Sequence, residues 1–173
     1  MKIEKLNAAA DEGLRAALAE LLTDAVQHGA SVGFVEPLSR AEVEAYWRKV
    51  IADLAGGFRV LWVARDESGA VIGSAQLAAE ARTNGRHRAE VQKVLVRSSA
   101  RRRGIGAALM GAVEAEAKAR GLRLLFLDTS AGPGGAVEFY RALGYGFVGH
   151  IPDYAADPDG RLVPNAIFYK LLG

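Results

Sequence analysis

A basic, glycine-containing turn carries the clearest chemical signal in this sequence. Within SSARRRGIGAALM, Arg101, Gly104 and Gly106 form an R-x-x-G-x-G pattern between a strand-like and a helix-like stretch. Glycines let the backbone turn tightly and approach a ligand, while a helix that begins there directs unpaired N–H groups and its positive dipole end at an anion. Arg101, Arg102 and Arg103 add charge-assisted hydrogen bonds. The turn therefore predicts a diphosphate site.

Two other phosphate-binding motifs fit this turn less well. A P-loop needs Gly-Lys followed by Ser or Thr, and no glycine in the chain is followed by lysine. A dinucleotide-binding fingerprint needs a small residue where Leu109 stands, and its glycines follow the strand directly, whereas several residues separate Val96 from Gly104. A solvated basic turn before an ordinary helix is the structural alternative, which G-x-G by itself leaves open.

The chain before this turn predicts a short strand, two helices and a hairpin. Residues 2–6 suggest the strand, and residues 11–27 place leucines at helical spacing. After the Gly- and Pro-containing residues 28–38, Ser39 and Glu42 form a capping box for a second helix that ends before two glycines. RVLWVAR and AVIGSAQLA, joined by the turn DESG, then indicate a β-hairpin.

The elements around and after the turn alternate between strand and helix. A strand at residues 89–96 leads into the turn, which opens a helix over residues 104–120. The apolar run at 122–129 is typical of a central strand. A short helix AVEFYRALG, a strand GFVGH, a long loop at 151–165 and a last strand AIFYKLL follow. This order predicts an α/β sandwich with a mixed sheet, as one domain over residues 1–173.

Composition restricts the class of function. The 22 Lys and Arg against 20 Asp and Glu leave a formal charge of +2, which is too small to indicate a nucleic-acid partner. There is no cysteine, and the histidines at 28, 87 and 150 are too scattered to predict a metal site. The N-terminus lacks a signal-peptide core, and no apolar run approaches the roughly 20 residues that span a bilayer. We therefore expect a cytoplasmic protein without a membrane partner.

Two motifs in order give the chain a family resemblance. VLVRSSARRRGIGAALM resembles the acetyl-CoA-binding motif of the Gcn5-related N-acetyltransferase (GNAT) family, and AVEFYRALGY resembles the A-x-x-F-Y motif that follows it. The resemblance covers about residues 58–173. It implies a GNAT-type mixed, mostly antiparallel central sheet with splayed middle strands flanked by helices. It also implies acetyl-CoA as cosubstrate and no metal.

The same resemblance implies which residues hold the cofactor. The backbone of two strand residues would pair with the pantetheine arm, and the turn would hold the pyrophosphate. The implied residues are Leu95, Val96, Arg101, Arg102, Arg103, Gly104, Ile105, Gly106 and Ala107. Many family members carry an asparagine where Pro133 stands, so the role of this position in binding pantetheine is left open.

Three side chains are candidates for catalysis. Amide formation needs a neutral amine, and the pKa of a lysine-type amine is about 10.4, so a base or a desolvating site must help remove a proton. The resemblance implies a carboxylate base at Glu90, with Asp128 on the neighbouring strand as second candidate, and Tyr140 as general acid for the departing thiolate. Glu90 and Gln92 share one strand face by the period of two. A solvated Glu90, a structural Asp128 and a merely packing Tyr140 are the alternatives.

Four more segments bear on the acceptor. GASVGF, RAEVQK, LDT and PDGRL resemble segments of toxin-resistance members of the family, which acetylate an amine of a β-lactam toxin. This implies a small amino-acid-like amine bound between residues 28–38 and 151–165. The candidate substrate-binding residues are His28, Ser31, Glu36, Tyr154 and Arg161.

The sequence therefore predicts an acetyl-CoA-dependent N-acetyltransferase for a primary amine of a small amino-acid-like molecule, with toxin resistance as its role. A protein N-terminal or lysine acetyltransferase and a non-catalytic acyl-CoA-binding sensor are the alternatives. The presence of Tyr140 with two candidate carboxylates argues against the sensor. The sequence determines neither the acceptor nor the oligomeric state, for which a homodimer is one option.

Overall fold

A computed structural model describes residues 1–6, 11–132 and 134–173, so the position of Pro133 lies outside the described residues. Strands and helices alternate along them. The strands are β1 (Lys2–Lys5), β2 (Arg59–Arg65), β3 (Val71–Ala79), β4 (Arg88–Val96), β5 (Leu124–Ser130), β6 (Gly146–Ala156) and β7 (Leu162–Leu171). The helices are α1 (Glu12–Gln27), α2 (Arg40–Leu54), α3 (Ile105–Ala119) and α4 (Ala136–Ala142).

The strands form one sheet in the order β1-β2-β3-β4-β5-β7-β6. Every neighbouring pair is antiparallel except β4 and β5, which are parallel. Helix α3 lies between these two strands in the sequence. A parallel connection needs a crossover of this kind. The predicted mixed, mostly antiparallel sheet flanked by helices is confirmed.

Helices cover both faces of the sheet. On one face, α1 and α2 bury Leu18 and Trp47 in a core that also contains Leu95 of β4. On the other face, α3 buries Leu109 and Met110 against the opposite side of the same strands. The two cores hold the central strands rigidly from both sides, so their ends provide a fixed frame for a site.

The N-terminal helices begin where the sequence predicts, but one cap differs. The Asp11 side chain accepts a 2.7 Å hydrogen bond from the backbone N–H of Leu14, which caps α1. Ser39 stands at the N-cap of α2, yet its side chain caps nothing within the described residues, so the predicted capping box with Glu42 is wrong. The start of α2 therefore depends on the burial of its apolar face rather than on a cap.

The predicted long loop at residues 151–165 is wrong. Strands β6 and β7 pair through most of it, with Ile151 opposite Asn165 and Ala156 opposite Leu162, and only residues 157–161 turn between them. The sequence predicts a loop here because proline and aspartate are residue types that are common in turns and rare in strands. Strand β6 accommodates Pro152 and Asp153 because it lies at the sheet edge and its register is irregular, with a φ of 48° at Asp153.

Candidate functional site

The central strands of the sheet separate halfway along. Pairing between β4 and β5 begins with Arg88 opposite Leu124 and ends with Glu90 opposite Phe126. Beyond these residues the two strands continue without pairing to each other in the described chain. The cleft between β4 residues 91–96 and β5 residues 127–130 therefore offers unpaired backbone N–H and C=O groups to a ligand. The splay implied by the family resemblance is confirmed.

A β-bulge shapes the β4 side of this cleft. Between Gln92 and Leu95, β4 advances three residues while β3 advances two. Lys93 lies within this irregularity with a φ of 49°. A bulge re-aims the side chains beyond it. Here Leu95 packs beneath α1 and α2, while Val96 packs against the α3 core.

The turn after β4 has the geometry of an anion site. Arg102 and Gly104 take φ values of 61° and 78°, and Gly104 is the N-cap of α3 without a side-chain cap among the described residues. The first intrahelical bond runs from the N–H of Ala108 to the carbonyl of Gly104. The amides of residues 105–107 precede it, so they lack intrahelical acceptors and are available to an anion.

Three arginines surround this helix start. Arg101, Arg102 and Arg103 are exposed, and none forms an ion pair with another described residue. Arg101 Nε makes only a long, 3.4 Å contact with the carbonyl of Val96. Free guanidinium groups beside uncapped helix amides suit a diphosphate, and the residues present fit the pyrophosphate of CoA.

An aspartate on α1 anchors the segment that leads into this turn. Asp24 accepts hydrogen bonds from both the backbone N–H and the hydroxyl of Ser98, each at 2.7 Å. Burial raises the pKa of Asp24, but the bonds from Ser98 and the charges of His28 and Arg97 outweigh it and lower the pKa below its usual value. The carboxylate is thus ionised at neutral pH and fixes the turn relative to α1.

The start of α3 also positions Tyr140. A Cβ built on Gly106 would lie 3.1 Å from Phe139 Cζ, so a larger residue there would have to push the Phe139 ring of α4 away. The next residue of α4 is Tyr140, which is 7% exposed and packs against Tyr145 and Phe168 at ring-centroid distances of 5.8 Å. Burial, and then the charge of Asp128, raise the pKa of Tyr140. Its hydroxyl is therefore protonated at neutral pH.

Asp128 lies on β5 where this strand borders the cleft. Its Oδ2 accepts a 2.6 Å hydrogen bond from Asn165 Nδ2 on β7. The charge of Asp128, then burial, and then the charge of Glu90 raise the pKa of Tyr154 on β6. Tyr154 and Tyr140 therefore both lie within the electrostatic reach of Asp128, although they belong to different elements.

Glu90 is held by a chain of polar side chains on the α2 side of the sheet. Its Oε2 accepts a 2.7 Å hydrogen bond from Gln92, whose amide oxygen accepts from Arg59 at 2.9 Å. Arg59 also donates to Gln76 at 2.6 Å, and Gln76 donates to the Tyr46 hydroxyl at 3.0 Å. The predicted shared face of Glu90 and Gln92 is confirmed.

The two segments predicted to enclose the acceptor touch each other. Ser31 Oγ donates to the carbonyl of Ala156 at 3.3 Å, and the backbone N–H of Glu36 donates to the carbonyl of Pro158 at 2.8 Å. Residues 28–38 are therefore bonded to the β6–β7 turn. These bonds join the two segments at the end of β6.

Two predicted substrate residues are engaged elsewhere. His28 Nδ1 lies 2.8 Å from the carbonyl and 3.4 Å from Oδ1 of Asp24, at the end of α1. Arg161 Nε donates to Asp159 Oδ2 at 2.6 Å within its own turn, with 77% of its side chain exposed. The structure thus gives neither side chain a contact with the carboxylates of the cleft.

Lys93 and Tyr46 are cleft residues to which the sequence pattern assigned no role. Lys93 Nζ lies 5.3 Å from the centroid of the Tyr46 ring and 3.9 Å from the position of a Cβ built on Gly33. Burial lowers the pKa of Lys93, against the opposing charges of Asp128 and Glu90. The segment RAEVQK contains this lysine, but only the bulge reveals where it lies.

Membrane-spanning helices and metal-binding groups are both absent from the described residues, 1–6, 11–132 and 134–173. None of their helices is both long and apolar enough to cross a membrane. No group of three or more His, Asp or Glu side chains among them could hold a metal ion.

Comparison with known sequences identifies relatives of this arrangement. The model of the acetyltransferase (GNAT) family matches residues 18–145. An uncharacterized N-acetyltransferase of the hisH-hisA intergenic region of Azospirillum brasilense is 40% identical over 113 residues, which are 64% of this chain. The match spans 65% of that relative's length.

Two solved structures share the fold over nearly the whole chain. A ribosomal-protein-alanine N-acetyltransferase from Brucella melitensis superposes with a TM-score of 0.82 at 25% identity, covering 99% of this chain and 100% of its own. A GNAT superfamily phosphinothricin acetyltransferase from Sinorhizobium meliloti, solved in complex with AcCoA, has a TM-score of 0.79 at 26% identity. That comparison covers 100% of this chain and 90% of the other.

Proposed function

This chain belongs to the GNAT acetyltransferase family, and from that premise we propose that it transfers an acetyl group from acetyl-CoA to the primary amine of a small amino-acid-like molecule. The observation that carries the proposal is the cleft between β4 and β5, with an uncapped helix start on one side and Asp128, Glu90 and Tyr140 around it. We take residues 1–173 as one domain with this activity.

The cofactor would lie along the β4 side of the cleft. The backbone of Leu95 and Val96 would pair with the pantetheine arm, since the edge of β4 that faces β5 has no strand partner here among the described residues. The amides of residues 105–107, with the guanidinium groups of residues 101–103, would hold the pyrophosphate. When bound there, acetyl-CoA supplies the thioester carbonyl that the acceptor amine attacks.

The carboxylates of the cleft would remove the proton that blocks the attack. An ammonium group must lose a proton before its nitrogen can form the C–N bond, and Asp128 or Glu90 can accept that proton. Asp128 is favoured because its charge reaches both Tyr140 and Tyr154. The hydrogen bond from Asn165 would hold its carboxylate towards the cleft.

Tyr140 would donate to the sulfur as the C–S bond breaks. Its raised pKa keeps the hydroxyl protonated at neutral pH. Since a thiol has a pKa of about 8.5, complete transfer of the phenolic proton to the thiolate is unfavourable. Tyr140 therefore acts mainly as a hydrogen-bond donor that stabilises the developing negative charge, and the proton released by the amine finally neutralises the thiolate.

A small acceptor suits the region in front of the cleft. Ser31 and Glu36 bond to the β6–β7 turn and would close one side of it, whereas a peptide acceptor needs an extended open groove. GASVGF, RAEVQK, LDT and PDGRL resemble segments of the tabtoxin resistance protein, and the S. meliloti relative is named for phosphinothricin, an amino acid. We therefore propose an amino-acid toxin as the physiological acceptor.

The acceptor class is tested by kcat/KM for a panel of amines with acetyl-CoA. The panel contains phosphinothricin, the β-lactam amino acid released from tabtoxin, free amino acids, polyamines and peptides with free N-termini. We expect the amino-acid acceptors to exceed every peptide by about tenfold or more. Peptides that exceed every small amine by the same factor would instead support a protein N-terminal acetyltransferase.

A further inference from the structure

Lys93 differs from the other lysines of this chain, which either pair with a carboxylate or, in the case of Lys118, are exposed. Lys2, Lys5, Lys49 and Lys170 each pair with a carboxylate at 2.6 to 2.9 Å. Lys93 is partly buried in the cleft, and no carboxylate oxygen of the described residues lies within 4.0 Å of its ammonium. Burying a cation without an anionic partner costs free energy, so the position of the Lys93 ammonium needs an explanation.

The fold directs this ammonium towards the acceptor region. The bulge in β4 gives Lys93 its left-handed backbone conformation. The ammonium lies near Gly33, in the same segment whose Ser31 bonds to the β6–β7 turn. On its other side, the Tyr46 ring centroid is 5.3 Å away. The aromatic face stabilises the cation but leaves its hydrogen-bond donors unused.

The charges around Lys93 complement both ends of an amino acid. Asp128 and Glu90 attract the Lys93 ammonium, but neither lies within ion-pair distance of it. Arg59, the other cation that affects Lys93, already donates to Gln76 and Gln92. Among the described residues, the cleft thus contains a cation without an ion-pair partner and two carboxylates, which match the carboxylate and the amine of one small zwitterion.

From this arrangement, which rests on the function proposed above, we propose that the Lys93 ammonium binds the carboxylate of the acceptor and makes the enzyme selective for amines that carry one. In this proposal Lys93 binds the acceptor carboxylate instead of Arg161. The hydrogen bond from Arg161 to Asp159 keeps the Arg161 side chain within its own turn. The acceptor carboxylate provides the anionic partner that Lys93 lacks among the described residues. Asp128 or Glu90 then faces the acceptor amine. Lys93 is therefore a specificity-determining residue rather than a base.

The test compares acceptors that differ only at the carboxylate. We would measure kcat and KM for L-alanine and phosphinothricin and for their carboxamides, with the wild type, Lys93→Gln, Lys93→Met and Lys93→Arg. Lys93→Met keeps the apolar stem against Tyr46 and so separates lost charge from lost packing. Lys118→Gln is the matched control, because it removes the same charge from an exposed lysine on α3.

We expect both neutral variants to lower kcat/KM for the acids by about tenfold or more, mainly through KM, and for the carboxamides by less than about threefold. Lys93→Arg should retain the preference for acids, and Lys118→Gln should behave as wild type.

Equal losses on acids and carboxamides, or a wild type without preference between them, would overturn the role of Lys93 while the proposed function stands. A wild type that acetylates none of these amines but does acetylate peptides would overturn both. Unchanged acetyl-CoA affinity by calorimetry would show that each variant is folded.

Discussion

Asn165 on β7 donates a 2.6 Å hydrogen bond to Asp128 on β5, across two paired strands of the sheet. The amide oxygen of Asn165 is buried and has no partner among the described residues. The Asn165 side chain therefore makes one hydrogen bond with the described residues, and this bond orients the Asp128 carboxylate. One oxygen of Asp128 is engaged by Asn165, and the other accepts no hydrogen bond from the described residues.

The first prediction concerns the base. Asp128→Asn should lower kcat/KM by about 10² and change the acidic limb of its pH profile, because the group proposed to accept the proton of the amine is gone. Glu90→Gln should have a smaller effect, since Glu90 is already bonded to Gln92. The measurement is kcat/KM across pH for both variants. An acidic limb unchanged in both would mean that free amine is selected from solution.

The second prediction concerns the leaving group. Tyr140→Phe should lower kcat by about 10² with little change in acetyl-CoA affinity, because only the hydroxyl that we propose stabilises the departing sulfur is removed. Tyr145→Phe is the matched control, since its ring packs 5.8 Å from that of Tyr140 in the same cluster. Wild-type kcat for Tyr140→Phe, at a pH where chemistry limits the rate, would exclude this role.

The third prediction concerns the pyrophosphate turn. Gly104 has a φ of 78° with open space around its missing Cβ, so valine there would strain the backbone rather than clash. A non-glycine residue held in this region costs about 1–3 kcal/mol, and the relaxed turn would no longer present its amides. Gly104→Val should therefore lower acetyl-CoA affinity by about 10² or more in calorimetry. Gly111→Ala, in the middle of α3, should leave it unchanged, and equal affinities for all three proteins would refute the assignment.

The fourth prediction concerns stability and pH. The pKa of Asp24 is lowered in the folded chain, so its bonds stabilise the fold above the unfolded pKa of about 3.9 and cease to do so as pH falls through the folded value. Ser98→Ala should lower the free energy of unfolding by about 1 kcal/mol or more at pH 7, and by less at pH 3. Urea denaturation at both pH values measures this. Ser68→Ala removes a similar bond to Asp66 in an exposed turn and should cost less; equal costs would contradict the anchoring role.

Local signals predicted most of the fold. The apolar period of α1, the turn between β2 and β3 and the glycine at the start of α3 each depend on a few neighbouring residues, so the sequence specifies them. The strand residues within 151–165 were not predicted, because Pro152 and Asp153 favour a loop and strand β6 tolerates them through its position at the sheet edge. That position is set by pairing with distant residues.

The candidate site was predictable where it is continuous in the chain. The turn at residues 101–107 could be assigned from its own pattern, and the structure shows its amides uncapped within the described residues. Lys93 and Asn165 could not be assigned, since the first depends on a bulge against β3 and the second on the register of β5 with β7. Arg161 was predicted from the PDGRL resemblance and its charge, and neither indicates that its neighbour Asp159 engages it.

The most direct test of acetyl transfer at this cleft is a stoichiometric one. Purified protein, acetyl-CoA and phosphinothricin or the tabtoxin-derived amino acid are mixed, and free CoA thiol and N-acetylated product are quantified together. The account predicts one N-acetylated molecule for each CoA released, at a rate that falls by about 10² in Asp128→Asn and in Tyr140→Phe. Acetyl-CoA binding without amine-dependent thiol release, for these and every other amine of the panel, would contradict it and indicate a non-catalytic acyl-CoA sensor.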